Sequence, residues 1–330
     1  MLSTSKLTST NNKLQILLLS YARSGSSFLG DLLQSYSKVF YIFEPLHYFR
    51  NKMTHLHTKN SSQFLYDLFN CNFSEWRSFL SWTRRYKQYK NLERNRRFWS
   101  ACSVGRNTNR CYNFRFVTSF CKMHSMQVIK VIRVSLTQVG WMLQTSPDMN
   151  LKVIHLIRDP RGTMKSRLME EVIAFWCKKS LCSNPMSLCT QINDDLNYAC
   201  KMGSMFSEKY KLLRYEDLAR KPLETAQDLF KFLGLNTLPK EVIDFVETHT
   251  KGTKSIKKQK QTEEWAYSTF RNSSETAFSW VKQLPFRTVL SIQSMCKSVL
   301  DRMSYVALSS PAQSKNPQLL ADMFNKSNVC

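Results

Sequence analysis

The sequence predicts an α/β protein whose core is a central parallel sheet of about five strands flanked by helices. Three observations predict it. Short apolar runs recur along the chain, and Leu151-Lys-Val-Ile-His-Leu-Ile157 is apolar almost throughout, as in a strand buried on both faces. The stretches between these runs place apolar residues at helical spacing. At two points an apolar run breaks into a sharp turn and resumes at once as a helix.

The first of these points spans residues 14–33. Leu14 to Ser20 reads as a strand, Tyr21-Ala-Arg23-Ser24-Gly25 as a turn, and Phe28, Leu29, Leu32 and Leu33 as one helix face. The first amides of a helix have no intrahelical partner, and the macrodipole leaves partial positive charge there. Gly25 lets the backbone close in, Ser26 and Ser27 add donors, and Arg23 adds a fixed cation. Together they suit a phosphate or sulfate ester. The stretch is not a Walker A motif, since the leading Gly and the Lys are missing. Taken alone, it serves equally as an ordinary structural turn.

Lys38 to Phe43 forms the second expected strand, and Glu44-Pro45-Leu46-His47 ends it. Residues 61–99 read as helical. Within them 84–97 is dense in base, with Arg84, Arg85, Lys87, Lys90, Arg94, Arg96 and Arg97 against a single Glu93, and Trp82, Tyr86, Tyr89, Phe98 and Trp99 are interleaved. That composition fits either a polyanion- or sugar-binding wall or a solvated helix face with buried rings. Residues 100–126 are cysteine-rich and irregular, and Gln127 to Val134 is the third strand. Leu151 to Ile157 is the fourth, with His155 as a hydrogen-bonded core histidine.

Arg158-Asp159-Pro160-Arg161-Gly162-Thr163 is the second sharp turn, followed by a helix through Met164, Leu168 and Ile173. Arg158 stands at a strand's carboxyl end and Ser166 about one turn into the helix, so the two can grip one phosphate from two sides. The alternative pairs Arg158 with Asp159 as a helix cap. Ligands of open parallel sheets sit at strand carboxyl ends, so two such turns point to one site. Cysteines crowd 177–200 and suggest disulfides in a loop-rich insertion. A fifth strand runs from Tyr210 to Arg214, and helices are expected over 222–233, 239–249 and from Pro285 to about Tyr305. Lys251 to Lys260 reads as a mobile basic loop. The boundaries are a polar arm over 1–13, one domain over 14–308 and a polar tail over 309–330.

With 48 Lys and Arg against 24 Asp and Glu, the 330 residues carry a formal charge of +24, which calls for an anionic partner. No apolar run approaches the length of a membrane span, and the first residues lack a signal-peptide core. Ten cysteines occur without a C-x-x-C pair, so a zinc ribbon is disfavoured. Sequons stand at Asn60, Asn72, Asn272 and Asn325. Cysteines and sequons point to an oxidising lumen, and we read the front of the protein as missing from this chain.

With both turns in place, the sequence resembles the Golgi carbohydrate sulfotransferases that act on the 6-hydroxyl of galactose, N-acetylgalactosamine or N-acetylglucosamine. The resemblance rests on Arg23-Ser-Gly-Ser-Ser-Phe-Leu-Gly30, Phe43-Glu-Pro-Leu46, Val153 to Arg161 with Ser166-Arg167, and Leu213-Arg-Tyr-Glu-Asp-Leu218. Phe232-Leu-Gly-Leu235, Asn272-Ser-Ser274 and Leu284-Pro-Phe286 follow in the family's order. It implies a P-loop-like sulfotransferase fold and 3′-phosphoadenosine 5′-phosphosulfate (PAPS) as sulfuryl donor, leaving the bisphosphate product PAP, with no metal required. By the same resemblance Arg23, Ser24, Gly25, Ser26, Ser27 and Phe28 form the 5′-phosphosulfate loop. Arg158 and Ser166 hold the 3′-phosphate, and Arg271, Asn272 and Ser273 close over the nucleotide.

The implied reaction is in-line attack of a sugar hydroxyl on sulfur. Its growing charge is met by Arg23 and fixed amides, the logic of an oxyanion hole. Glu44, at the end of the second strand beside the first turn, is the candidate base, with His47 as its rival. Implied partners are a neutral or anionic glycan, such as keratan, chondroitin or chains bearing N-acetylglucosamine, and not nucleic acid. The family's usual setting is the Golgi lumen, held by a membrane anchor that this chain lacks. Two other readings remain: a P-loop-type kinase or NTPase, disfavoured by the missing Walker Lys, and a non-enzymatic polyanion binder.

Overall fold

The computed structural model describes residues 13–49, 57–105, 107–169, 177, 181–203, 207–250, 273–313 and 330. Five strands form one wholly parallel sheet: β1 (Leu14–Ser20), β2 (Val39–Phe43), β3 (Met126–Val131), β4 (Leu151–Ile157) and β5 (Tyr210–Arg214). Their order across the sheet is β2-β3-β1-β4-β5. From β1 the chain crosses to the edge at β2 and returns to place β3 between β2 and β1, and β4 and β5 then extend the sheet on the other side of β1. The reversal therefore lies between β1 and β4, where a crevice opens at the strand carboxyl ends.

Every residue of β1 is buried, because the strand is central and both its faces are covered. Alternation sorts the side chains. Leu17 and Leu19 pack with Phe40, Ile42, Ile129 and Val153 beneath Phe64, Phe79, Phe98 and Val139 of the covering helices. Ile16 and Leu18 pack on the opposite face with Tyr41, Val128 and Ile154 beneath Leu29, Leu218, Leu229 and Phe245. Trp280, Leu188, Ile192 and Val299 gather a third cluster beyond β4.

Four expectations change. Residues 100–126 are not irregular throughout, because Asn113 caps a helix over Phe114–Lys122. Residues 61–99 form three separate helices, His57–Phe69, Arg77–Arg85 and Arg96–Cys102. The first ends where Cys71 takes a left-handed φ of 55°, and Asn95 starts the third by accepting the Phe98 amide. The stretch 177–200 is not loop-rich, because the helix Pro185–Met202 runs through it, with Pro in its first turn and Asn184 as its cap. The last expected helix divides at Cys296 into Phe286–Met295 and Lys297–Arg302.

All ten cysteines pair, as Cys71–Cys121, Cys102–Cys111, Cys177–Cys182, Cys189–Cys296 and Cys200–Cys330. Most of these bridges join separate elements, which no spacing argument predicts. His155 is the core residue expected. It is fully buried, lies 2.8 Å from the Tyr210 hydroxyl and 3.0 Å from the Tyr21 hydroxyl, and burial drops its pKa to about 3. Among the described residues no helix is long and apolar enough to cross a membrane.

Candidate functional site

Register explains why the two turns meet. Ser20 at the end of β1 pairs with Leu156 on β4, so the chain leaves both strands side by side. After β1 it turns sharply. Arg23 takes φ 73° and Gly25 φ 86°, and the helix Ser26–Ser35 starts at Gly25 with no side-chain cap. That end of the helix thus keeps first-turn amides for an external acceptor. After β4 the helix Pro160–Met169 begins just past Arg158.

The side chains lock the turns together. Arg23 Nε donates to Ser166 Oγ at 2.9 Å, and Arg158 Nη1 donates to the Arg23 carbonyl at 3.3 Å. Ser166 is buried by this contact. Arg158 Nη2 donates to the Thr276 carbonyl at 2.9 Å, which ties in the helix Ser273–Gln283. Arg158 does not pair with Asp159. That carboxylate is taken by Arg161, whose Nη2 lies at 2.7 Å. Arg158 Nε is buried and, among the described residues, has no hydrogen-bond partner. An orphaned guanidinium nitrogen is costly unless something binds it, and a phosphate is the natural acceptor.

Three residues that the sequence reading did not place in the site help build it. Arg167, also buried, donates to the Ala22 carbonyl at 3.0 Å and the Cys182 carbonyl at 3.0 Å. Burial, with the like charge of Arg23, lowers its pKa to about 10. Tyr215 lies under both turns: the Arg158 guanidinium sits 4.7 Å over its ring, and Gly25 packs against its edge. Glu216 accepts the Asp159 amide at 3.1 Å. Arg167 and Tyr215-Glu216 stand within the compared stretches, yet only tertiary pairing reveals what they touch.

Gly25 is required on two counts. A Cβ there would lie 2.2 Å from Tyr215 Cδ2, and φ 86° disfavours any other residue. Gly25→Ala should therefore lose about 2–5 kcal/mol of stability in urea unfolding, from left-handed strain plus overpacking. A loss below about 0.5 kcal/mol, the range of a neutral surface change, would contradict this packing.

Glu44 ends β2, but β3 lies between β2 and β1. It is thus two strand spacings, roughly 10 Å, from the first turn and not beside it. Its carboxylate accepts Lys130 Nζ at 2.6 Å and Arg133 Nη1 at 3.0 Å. Burial alone would raise its pKa, but Lys130, His47 and Arg133 outweigh that and hold it at about 2. Lys130 feels the same pair from the other side. Burial lowers its pKa more than Glu44 raises it, and the short contact marks a charged pair all the same. His47 Nδ1 lies 3.2 Å from the Glu44 carbonyl, an acceptor, so Nδ1 carries the proton and Nε2 is the basic nitrogen. Burial, opposed by Glu44, brings the His47 pKa to about 4, so the ring is neutral near pH 7.

The basic segment divides. Arg97 donates to the Gln34, Ser35 and Tyr36 carbonyls at the end of the helix Ser26–Ser35, and Arg96 pairs with Asp31 at 3.1 Å. These are structural contacts at a helix C-terminus. Arg84, Arg85 and Lys87 are exposed near the stacked Trp82, Tyr89 and His47 rings. Arg271, Asn272 and Lys251 to Lys260 lie outside the described residues. Ser273 opens the helix Ser273–Gln283, and nothing is described of its side chain. Among the described residues no group of three or more His, Cys, Asp or Glu could hold a metal ion.

Residues 13–304 match the family model of the sulfotransferase domain. Carbohydrate sulfotransferase 1 of Danio rerio is 29% identical, covering 93% of this chain and 81% of its own. Carbohydrate sulfotransferase 4 of Mus musculus is 26% identical, covering 95% and 87%. The sulfotransferase domain of the Synechococcus PCC 7002 olefin synthase superimposes with a TM-score of 0.47 at 17% identity, over 87% of this chain and 95% of that one.

Proposed function

Because the chain belongs to the sulfotransferase domain family, we propose that this enzyme moves a sulfuryl group from PAPS to the 6-hydroxyl of galactose, N-acetylgalactosamine or N-acetylglucosamine in a glycan or glycosaminoglycan. The observation that carries the donor assignment is the meeting of Arg23, Ser166 and Arg158 across two turns, with Arg158 Nε buried and, among the described residues, unpaired. Gly25 lets the first turn close against Tyr215, the ring over which the Arg158 guanidinium sits, and so supports one continuous cradle at both turns.

In this reading Arg23 and the first amides of the helix Ser26–Ser35, with Ser24, Ser26, Ser27 and Phe28, surround the 5′ end. Arg158 and Ser166 hold the 3′-phosphate, and Arg271, Asn272 and Ser273 close the site. When bound, PAPS supplies the transferable sulfuryl group and the leaving bisphosphate. Fixed guanidinium and amide donors stabilise charge on the reacting oxygens without reorganising. Glu44 or His47 takes the hydroxyl proton, and the acceptor sugar would lie across the carboxyl end of β3, which separates them from the first turn.

Exposed Arg84, Arg85 and Lys87 give the acceptor cleft a cationic edge. Relatives named as carbohydrate sulfotransferases support a glycan acceptor. Five disulfides support an oxidising compartment, which we take to be the Golgi lumen. The test is transfer of labelled sulfate from PAPS to keratan, chondroitin and N-acetylglucosamine-terminated acceptors, with the product linkage mapped. Label at carbon 6 of one of them is expected. No label in any carbohydrate would sink the reading.

A further inference from the structure

Two carboxylates are buried beneath the second turn, and only one is neutralised. Asp159 is 2% exposed and accepts Arg161 Nε at 3.0 Å and Nη2 at 2.7 Å. Glu216 is 1% exposed and, among the described residues, forms no ion pair. Its Oε1 accepts the Asp159 amide at 3.1 Å, and its Oε2 accepts the Tyr305 hydroxyl at 2.7 Å. The charges acting on it are Asp159, which disfavours its anion, and Arg158, which favours it. Burial is the larger influence, and with Asp159 it pushes the Glu216 carboxyl up to about 7. From β5, Arg214 is committed to Asp217 and the Met303 carbonyl.

The two contacts differ in what they permit. The Asp159 amide can only donate, so Oε1 is an acceptor in either charge state. The Tyr305 hydroxyl can donate to a carboxylate or turn and accept from a carboxylic acid at Oε2. The link from Glu216 to the Arg158-Asp159 turn therefore survives protonation. What protonation changes is charge. A phosphate held by Arg158 cancels the cation that, among the described residues, favours the Glu216 anion, leaving it beside Asp159 in a low-dielectric setting.

We infer that Glu216 is a positioning residue for Arg158, and that capture of a nucleotide 3′-phosphate by Arg158 draws a proton from solvent onto Glu216. This rests on the donor-site reading above. Anion binding that raises a carboxyl's proton affinity must weaken as pH rises, by up to about tenfold for each unit of pKa change on binding. The sign is opposite to that of the phosphate's own second ionisation, which favours binding as pH rises through about 6. Measurements between pH 7 and 9 therefore isolate Glu216.

The experiment is isothermal titration of adenosine 3′,5′-bisphosphate at pH 7.5 in buffers of different ionisation enthalpy, with 5′-AMP as comparison. The wild type should take up a fraction of a proton with the bisphosphate and none with 5′-AMP. Glu216→Gln presents an amide oxygen to Asp159 and an amide N–H to Tyr305. It should bind the bisphosphate within about threefold of wild type at pH 7, with uptake abolished and affinity flat to pH 9. Wild-type binding without uptake, or equal uptake with 5′-AMP, overturns the inference without recourse to the variant. Uptake unchanged in Glu216→Gln does the same. Failure of the wild type to bind the bisphosphate at all would instead overturn the donor-site reading.

Discussion

Glu44→Gln is expected to lower kcat by about 10²–10⁴-fold, the range for loss of a positioned proton acceptor, while nucleotide affinity stays within about threefold. The separation follows from topology. Glu44 ends β2, two strand spacings from the phosphate turns, so its loss should leave them undisturbed. A carboxylate held at about pKa 2 is a weak base at rest, and Lys130 and Arg133 are the reason. The same cations keep it ionised, and the neighbouring His47 near pKa 4 stays neutral. Neither group gains a proton between pH 8 and 6, so an acid limb in kcat should be absent over that range. The same substitution would also leave the buried Lys130 without its anion, at a cost of about 3–5 kcal/mol in unfolding experiments. That loss is present at neutral pH. In wild type the Glu44 contribution is full above about pH 4.5 and disappears as pH falls towards 2. If Glu44→Gln is folded and turns over normally while His47→Ala does not, the proton acceptor is His47.

Much of this arrangement was legible in the sequence, and what was not has physical causes. All five strands were readable, because a parallel sheet buried on both faces demands uninterrupted apolar runs such as Leu14–Ser20. The pairing of the two turns followed from their place at strand ends, and the family followed from the ordered stretches that carry the resemblance. The helix Leu136–Thr145 was overlooked although its start is written plainly, with Ser135 and Gln138 forming a capping box. The helix Pro185–Met202 was obscured by its cysteines. Its Leu188, Ile192 and Leu196 keep the four-residue spacing of a buried face, but Cys189 and Cys200 drew attention to loops. Strand order could not be read at all. With β3 inserted between β1 and β2, Glu44 meets Lys130 on the neighbouring strand, a contact 86 residues apart in sequence. The composition around Arg96 and Arg97 likewise fits either a ligand wall or a solvated face, and only tertiary contact shows that the helix Ser26–Ser35 claims both.

Arg158→Ala should weaken adenosine 3′,5′-bisphosphate by about 10²–10³-fold and 5′-AMP by about threefold at most, both read by calorimetry. Hydrogen bonds to charged groups contribute roughly 1.5–3 kcal/mol each, so losing a two-pronged phosphate contact costs about 3–4 kcal/mol, or two to three decades. The side chain is suited to that contact because its carbonyl bonds to Arg23 and Thr276 and its place over Tyr215 fix the plane of the guanidinium. Its rotamer entropy is thus lost on folding and not again on binding. Arg158→Lys retains a cation without the planar fork, and should recover part of the affinity but not all of it. Removing Arg158 also frees the Arg23 carbonyl, which can loosen the first turn and affect any nucleotide. The contrast between the two ligands subtracts that shared loss, leaving the 3′-phosphate alone. Equal losses for both would mean that Arg158 braces the first turn and binds no phosphate, and the 3′-phosphate would have to be held elsewhere.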